Sequence, residues 1–182
     1  MEHLESTSSS YSTYARMLHW GAATVLVIGL LGVELHELFP RGTEMRAAFK
    51  AVHFQAGMLV FILVWLRMAR TAFGRTPPIF PPLTFMQDLA AKAMRLALYL
   101  GMVALPILGV FDMQAADKPL TFLGMALPVL VAPNKELAHA LLEWHETLGN
   151  LMIVLILGHA ASAYWHHIFM HDNTLRRMLP RK

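Results

Sequence analysis

The sequence lacks cysteine entirely and has few charged residues. With no cysteine in 182 residues, disulfide bonds, iron–sulfur clusters and Cys-x-x-Cys-His attachment of c-type haem are excluded. Any metal site must therefore use histidine, methionine or carboxylate ligands. The first residues are rich in serine and have neither a basic start nor a short apolar core. We expect a disordered tail over residues 1–13 rather than a cleavable signal peptide.

Charged residues make up 15% of the chain, against 56% hydrophobic residues, and several long apolar runs contain none. Runs of this length can cross a hydrocarbon layer about 30 Å thick. We therefore predict an all-α integral membrane protein, a four-transmembrane-helix bundle that forms one domain over residues 14–182. The predicted spans are residues 16–35, 52–68, 89–111 and 144–169.

The sequences of two connections between the spans indicate how each connection is structured. Four prolines in residues 76–82 exclude a helix there, so this segment joins the second and third spans. The third connection, residues 112–139, contains an apolar stretch at 120–131 that is too short to span. We expect that stretch to lie at the membrane interface or to cap the bundle.

The basic residues predict the orientation of the bundle. Ten lysines and arginines lie on the side of the two termini, whereas five lie on the other side among eight acidic residues. An excess of basic residues marks the cytoplasmic side, so we predict that both termini are cytoplasmic. The five basic residues of the opposite side are Arg41, Arg46, Lys50, Lys118 and Lys135.

Four histidines inside or at the ends of the spans form two layers. His145 and His159 are 14 residues apart on one predicted helix, which places them on nearly the same face about 21 Å apart. With alternating spans, His19 lies at the level of His159, and His53 lies at the level of His145. Buried imidazoles in lipid are costly without partners, so such residues indicate a functional site.

Each layer offers one histidine from the fourth span and one from another span. A six-coordinate b-type haem takes one neutral imidazole on each face, commonly from two facing helices of a bundle. We therefore predict two stacked b-type haems whose iron has these histidines as axial ligands. The residue four positions after each candidate is small and leaves room for a macrocycle: Ala23, Gly57, Gly149 and Ala163.

Other interpretations of these residues stay open at this point. The four histidines could instead make hydrogen bonds between helices or lie at the membrane interface, and one of the 13 methionines could serve as an axial ligand. A zinc protease is disfavoured because the His145–Glu146 pair is followed by Gly149 where the His-Glu-x-x-His motif needs histidine. We expect His36, His139 and His171 to face solvent or lipid headgroups.

Several motifs resemble those of a known family. They are residues 18–20 (LHW), 144–150 (WHETLGN), 158–161 (GHAA), 166–169 (HHIF) and 172–180 (DNTLRRMLP), with shorter matches at 39–41 (FPR) and 76–78 (TPP). Together they closely resemble the bacterial cytochrome b561 family, and within it the superoxide oxidases. The resemblance covers residues 14–182.

The resemblance implies a four-helix di-haem quinone oxidoreductase of the bacterial inner membrane. By position, His19 and His159 would hold the inner haem, and His53 and His145 the outer haem, as the layers indicate. Superoxide outside the membrane would be the electron donor and ubiquinone the acceptor. An electron-transfer subunit that relays electrons between a partner dehydrogenase or soluble cytochrome and the quinone pool is the alternative, and a membrane protein without a redox role is a third possibility.

Two further sites follow from this implied activity. His166 lies seven residues after His159 and about 10 Å nearer the cytoplasm, where a proton-carrying group near the quinone is needed. We predict that His166, alone or with His167, contacts the quinone, although both could simply anchor the helix end. The outer segments carry more acid than base, so attraction of the superoxide anion needs a local cluster. Arg46 and Lys50, on the helical face of His53, are our candidates.

Overall fold

A computed structural model describes residues 10–179 of the chain. Within that part, four α-helices are long and apolar enough to cross a membrane, as predicted. Most of the predicted tail, residues 1–9, lies outside the described residues. We call the end of the bundle at which α1 begins and α4 ends the inner end, and the opposite end the outer end. The helices are α1 (Thr13–His36), α2 (Glu44–Phe73), α3 (Phe85–Ala115) and α4 (Lys135–Ile168).

Every helix is longer than its predicted span because capping residues, not the limits of hydropathy, set where it begins. Each N-terminus is capped by a side chain that accepts a hydrogen bond from a backbone N–H of the first turn. At α3, Thr84 and Gln87 form a full capping box. The other N-caps are Ser12, Thr43 and Asn134.

The bundle consists of two closely packed helix pairs, α1 with α2 and α3 with α4, joined through α2 and α3. Glycines on α1 permit the first close approach. A Cβ added to Gly32 would come within 3.1 Å of the backbone of α2 at Phe49 and His53. The shared core is small and lies at mid-bundle: Ala22, Val60, Val64, Met102 and Met152. Many large apolar side chains elsewhere are exposed, as a lipid-facing surface requires.

Residues 116–134, which we call the outer cap, cover the outer end. They contain a small antiparallel hairpin, with strands β1 (Thr121–Phe122) and β2 (Met125–Ala126), which the sequence did not predict. Gln55 on α2 fixes the hairpin, because its amide donates to the Thr121 carbonyl (2.7 Å) and accepts from the Leu123 N–H (3.1 Å). The apolar stretch at 120–131 therefore lies over the end of the bundle.

The proline segment and the residues after α4 are bonded together at the inner end, and we call residues 76–83 and 171–179 the inner cap. Asn173 accepts from the Phe80 N–H (2.9 Å), and the guanidinium of buried Arg177 donates to the Pro77 carbonyl. Trp20 on α1 donates to the Met178 carbonyl (2.8 Å). The inner cap thus ties the start of α1 to the end of α4.

Candidate functional site

The structure brings the four histidines together in the two predicted pairs. The ring centroids of His53 and His145 are 6.0 Å apart, and those of His19 and His159 are 6.3 Å apart. In both pairs the rings are strongly inclined to each other. α4 supplies one member of each pair, while α1 and α2 supply the others. The two layers inferred from spacing alone are therefore present in the fold.

At the outer pair, a hydrogen bond fixes the tautomer of His53. Its Nδ1 lies 2.8 Å from the Gly29 carbonyl of α1, and a carbonyl can only accept, so Nδ1 carries the proton. The lone pair of a neutral His53 is then on Nε2, as metal ligation requires. The Nδ1 of His145 is buried and has no hydrogen bond of normal geometry within residues 10–179.

A cavity of about 320 Å³ adjoins the outer pair between the helices. Both outer histidines line it, and so do Gly57 and Gly149, the small residues one turn further along each helix. A Cβ added to either glycine would meet no atom of residues 10–179 within 4 Å. The open space that the small residues predicted next to the ligands therefore exists at this layer.

At the inner pair, the neighbour is an arginine. A guanidinium nitrogen of Arg67 on α2 lies 3.0 Å from the Nδ1 of His19. Since arginine only donates, Nδ1 accepts, and the proton of a neutral His19 lies on Nε2. Ligation through Nε2 therefore requires this contact to open or His19 to lose its proton. The sequence prediction counted Arg67 as a topology charge and missed this contact.

The spacing of both pairs fits one metal ion between two imidazoles. Two rings bound to one metal from opposite faces, each by a bond of about 2 Å, have centroids about 6 Å apart. Within residues 10–179, no three His, Asp or Glu side chains are grouped to hold a metal ion by themselves. Two ligands per site suit a metal whose remaining ligands come from a porphyrin.

His166 is held by a carboxylate that the sequence prediction missed. Its Nδ1 lies 2.5 Å from Oδ2 of Asp172, which is 3% exposed and also accepts from the Thr174 N–H (2.8 Å). Burial by itself raises the pKa of Asp172, but the hydrogen bonds with His166 and Thr174 outweigh it and hold the pKa below its ordinary value. His171, which has a φ of 51°, turns the chain back so that Asp172 reaches His166.

The outer-end cations differ from the prediction in their surroundings. Arg46 forms an ion pair with Glu37 (2.8 Å) and donates to the His36 and Phe39 carbonyls, so its charge is compensated. The pKa of Glu37 is lowered, chiefly by the hydrogen bond from Arg46. Lys50 is exposed and forms no ion pair within residues 10–179. The two residues therefore do not form one cluster of free positive charge.

The expectation for His36 was wrong. This side chain is 8% exposed, bonds to the Val33 carbonyl through Nδ1, and lies 3.0 Å from a carboxylate oxygen of Glu37 through Nε2. It lines the outer cavity instead of facing solvent. His139 and His171 are exposed, as expected.

Comparison with known proteins agrees with this geometry. Residues 10–181 match the profile of the family described as "Prokaryotic cytochrome b561". "Cytochrome b561 homolog 1" of Escherichia coli (strain K12) is 35% identical over 165 residues, which cover 91% of this chain and 94% of that protein. "Probable superoxide oxidase CybB" of Yersinia pestis is 30% identical over 172 residues, or 94% and 97% of the two chains.

A third relative is more distant: "Cytochrome b561 homolog 2" of Escherichia coli (strain K12) is 28% identical over 177 residues. The profile match covers nearly the whole chain, and the fold supplies four membrane-length helices. This family implies a b-type haem, which the imidazole pairs suit. The chain therefore belongs to the prokaryotic cytochrome b561 family and is a haem-containing oxidoreductase of a bacterial membrane.

Proposed function

We propose that the chain is a di-haem oxidoreductase that takes electrons from superoxide at its outer end and delivers them to ubiquinone at its inner end. Two superoxide ions would give two dioxygen molecules and two electrons, and one ubiquinone would take up those electrons and two protons to give ubiquinol. A bound b-type haem supplies one-electron exchange between ferric and ferrous iron. The observation that carries the proposal is the presence of two imidazole pairs along α4.

His19 and His159 would hold the inner haem, and His53 and His145 the outer haem. The Gly29 carbonyl keeps His53 in the tautomer that leaves Nε2 free. The inner end of the bundle is the end with more lysine and arginine, so the inner cap would be on the cytoplasmic side of the inner membrane. Both termini would then be cytoplasmic, and the outer cavity would open toward the periplasmic side.

The inner end differs from the outer end in offering a group that can carry protons. His166 has its Nδ1 fixed by Asp172, so its Nε2 is the nitrogen available to a quinone oxygen. A carboxylate that fixes one ring nitrogen and stabilises the protonated ring is a common support for a histidine acid–base group. We assign His166 to the quinone site and Asp172 to the positioning of His166.

The quinone assignment is tested with His166→Ala, which should keep both haems and lower quinone reduction by about 100-fold. Asp172→Asn tests the positioning role, because it should lower the maximal rate with little change in the quinone concentration needed for half that rate. His139→Ala is the matched control, since His139 is an exposed α4 histidine that lies 3.6 Å from the carboxylate of Glu143. Unchanged quinone kinetics in His166→Ala would remove this residue from the site.

The superoxide assignment draws support from the Yersinia pestis relative, which is named a probable superoxide oxidase. It is tested by mixing oxidised, purified protein with superoxide in a stopped-flow spectrometer, with and without a soluble ubiquinone analogue. We expect fast reduction of the haem bands by superoxide and reoxidation only when quinone is present. Haem bands that ignore superoxide would contradict this donor.

One observation favours a second function, an electron-transfer subunit that serves a partner dehydrogenase or soluble cytochrome. Two carboxylates that line the outer cavity, Glu34 and Glu146, form no ion pair within residues 10–179, whereas a third, Glu37, is paired with Arg46. Such a rim repels an anion such as superoxide and suits a partner with a basic surface. Haem bands that respond to quinol but not to superoxide would favour this relay.

A further inference from the structure

Arg67 is a charged, half-buried side chain at the inner end of the apolar run of α2. Its guanidinium donates to His19 of the inner pair and lies 5.8 Å from the centroid of the Tyr99 ring. The Tyr99 hydroxyl in turn contacts Thr71, which donates to the Arg67 carbonyl. The arginine is therefore packed between α1, α2 and α3 at the level of the inner pair.

No carboxylate of residues 10–179 forms an ion pair with Arg67. The nearby Arg70 has a different environment, because it donates to the hydroxyl of Ser12 at the start of α1 (3.1 Å). Arginine keeps its proton in proteins, so Arg67 is a permanent positive charge in a region of low dielectric constant. Such a charge in a transmembrane segment is costly and indicates a functional role.

The outer layer has the opposite electrostatic character. Its histidine His53 donates to a neutral carbonyl, and the adjoining cavity is lined by Glu34 and Glu146, which form no ion pair within residues 10–179. A carbonyl that accepts from a ligand histidine makes the imidazole a stronger electron donor. Negative charge and strong donation both favour the oxidised form of an iron centre, because that form carries more positive charge.

The inner layer should favour the reduced form for the same reason. A guanidinium beside the pair disfavours the more positive, oxidised iron. The backbone of Arg67 is held in α2 at the level of the inner pair. Its charge therefore stays in the inner layer whether or not the contact with His19 opens on ligation.

We propose that Arg67 raises the reduction potential of the inner haem above that of the outer haem, so that the protein itself favours electron flow from the outer end to the inner end. This proposal rests on the two-haem part of the proposed function but not on superoxide as the donor. Arg67 acts here as a residue that sets a potential, not as a ligand.

The test is a potentiometric measurement on purified di-haem protein with chemical mediators, which needs neither superoxide nor quinone. The wild type should show two midpoint potentials. Arg67→Gln should lower the upper one and leave the lower one in place, whereas Arg67→Lys should keep the upper one near its wild-type value. Arg70→Gln, which removes a charge from the same helix, should move neither. Haem content is measured in each sample.

Glu146→Gln provides the converse change at the outer layer and should raise the lower midpoint by a smaller amount, because Glu146 is exposed. The proposal would be overturned if Arg67→Gln left the upper midpoint unchanged. It would also be overturned if Arg67→Lys lowered the upper midpoint as much as Arg67→Gln does. If Arg67→Gln loses one haem, loss of the upper midpoint supports the assignment of the higher potential to the inner haem. Loss of the lower midpoint refutes that assignment. Failure of superoxide to reduce the protein would contradict the donor alone.

Discussion

The outer and inner layers each contain a pair of histidines, but the surroundings of the two pairs differ. The outer pair lies beside the Gly29 carbonyl and an open cavity. The inner pair lies beside Arg67, in the half of the bundle where the Asp172–His166 hydrogen bond is found. Oxidation of superoxide releases no proton, whereas reduction of a quinone takes up two. Under the proposed function, one ligand geometry would serve electron entry at one layer and proton-coupled exit at the other.

The packing of the helices explains how both sites fit one short chain. α1 packs on α2 and α3 packs on α4, whereas no comparable packing joins α4 to α1 or α2 within residues 10–179. The histidine pairs lie across this less closely packed boundary. Between the layers, Met152 on α4 belongs to the core and lies seven residues from both His145 and His159. The core thus separates the two layers and keeps them in register.

Of the changes that distinguish the two layers, removal of one histidine ligand should have the largest effect, which is a loss of haem. His145→Ala should lose the outer haem and His159→Ala the inner haem, each lowering the haem content by about half, since a b-type haem without covalent attachment depends on its axial ligands. The ratio of haem to protein, from absorbance of purified samples, measures this. His139→Ala should keep the full content. Full haem content in either ligand variant would show that the pair is not a haem site.

Filling the space beside the outer pair should remove one haem without touching a ligand. Gly149→Leu places a bulky side chain in the outer cavity, where a Cβ has open space, and should lower the outer haem occupancy while the inner haem stays bound. Gly21→Leu is the matched control, because Gly21 also has open space at its Cβ but does not line that cavity. Two bound haems in Gly149→Leu would contradict the assignment of the cavity.

The sequence was sufficient for the helices and the histidine pairs, and the reason is periodicity. Apolar runs determine the spans, alternating spans determine which ends are adjacent, and the 14-residue interval determines the face of α4. None of these inferences needs a side-chain contact. The same method reaches His166, because it lies on the same helix as His159.

The residues that distinguish the layers could not be predicted in this way. Arg67 lies near the end of a predicted span, where basic residues normally mark topology, and only packing shows that it reaches His19. Asp172 lies beyond α4 and reaches His166 through a reversal of the chain at His171. His36 is buried beside Glu37, and Arg46 from the next helix pairs with Glu37 and donates to the His36 carbonyl. Each depends on contacts outside the periodic pattern.

Acid should destabilise the inner end through Asp172. Because the pKa of Asp172 is lower in the folded protein than its ordinary value of 3.8, the folded state binds fewer protons than the unfolded state between those values. Asp172 therefore contributes stability that is fully present above its unfolded pKa and is lost as the pH falls through the lowered folded pKa. Asp172→Asn should be less stable at neutral pH and should lose less stability on acidification.

Thermal unfolding of detergent-solubilised wild type and Asp172→Asn at a series of pH values from neutral to about 3 measures this effect. Asp88→Asn is a suitable control, since Asp88 forms an exposed ion pair with Lys92 on α3 and such pairs contribute little. Equal acid sensitivity of wild type and Asp172→Asn would show that this carboxylate is not the source of the stability.

The smallest expected effect concerns attraction of superoxide at the outer end. Lys50 carries an exposed charge without an ion pair within residues 10–179, so Lys50→Gln should lower the rate of haem reduction by superoxide about twofold at low ionic strength. The double variant Arg46→Gln/Glu37→Gln removes both charges of one ion pair and keeps the net charge, so its rate should match the wild type. Salt should weaken the Lys50 effect, because screening shortens the range of its field. Equal losses in both variants would mean that the shape of the connection, and not free charge, controls access to the outer pair.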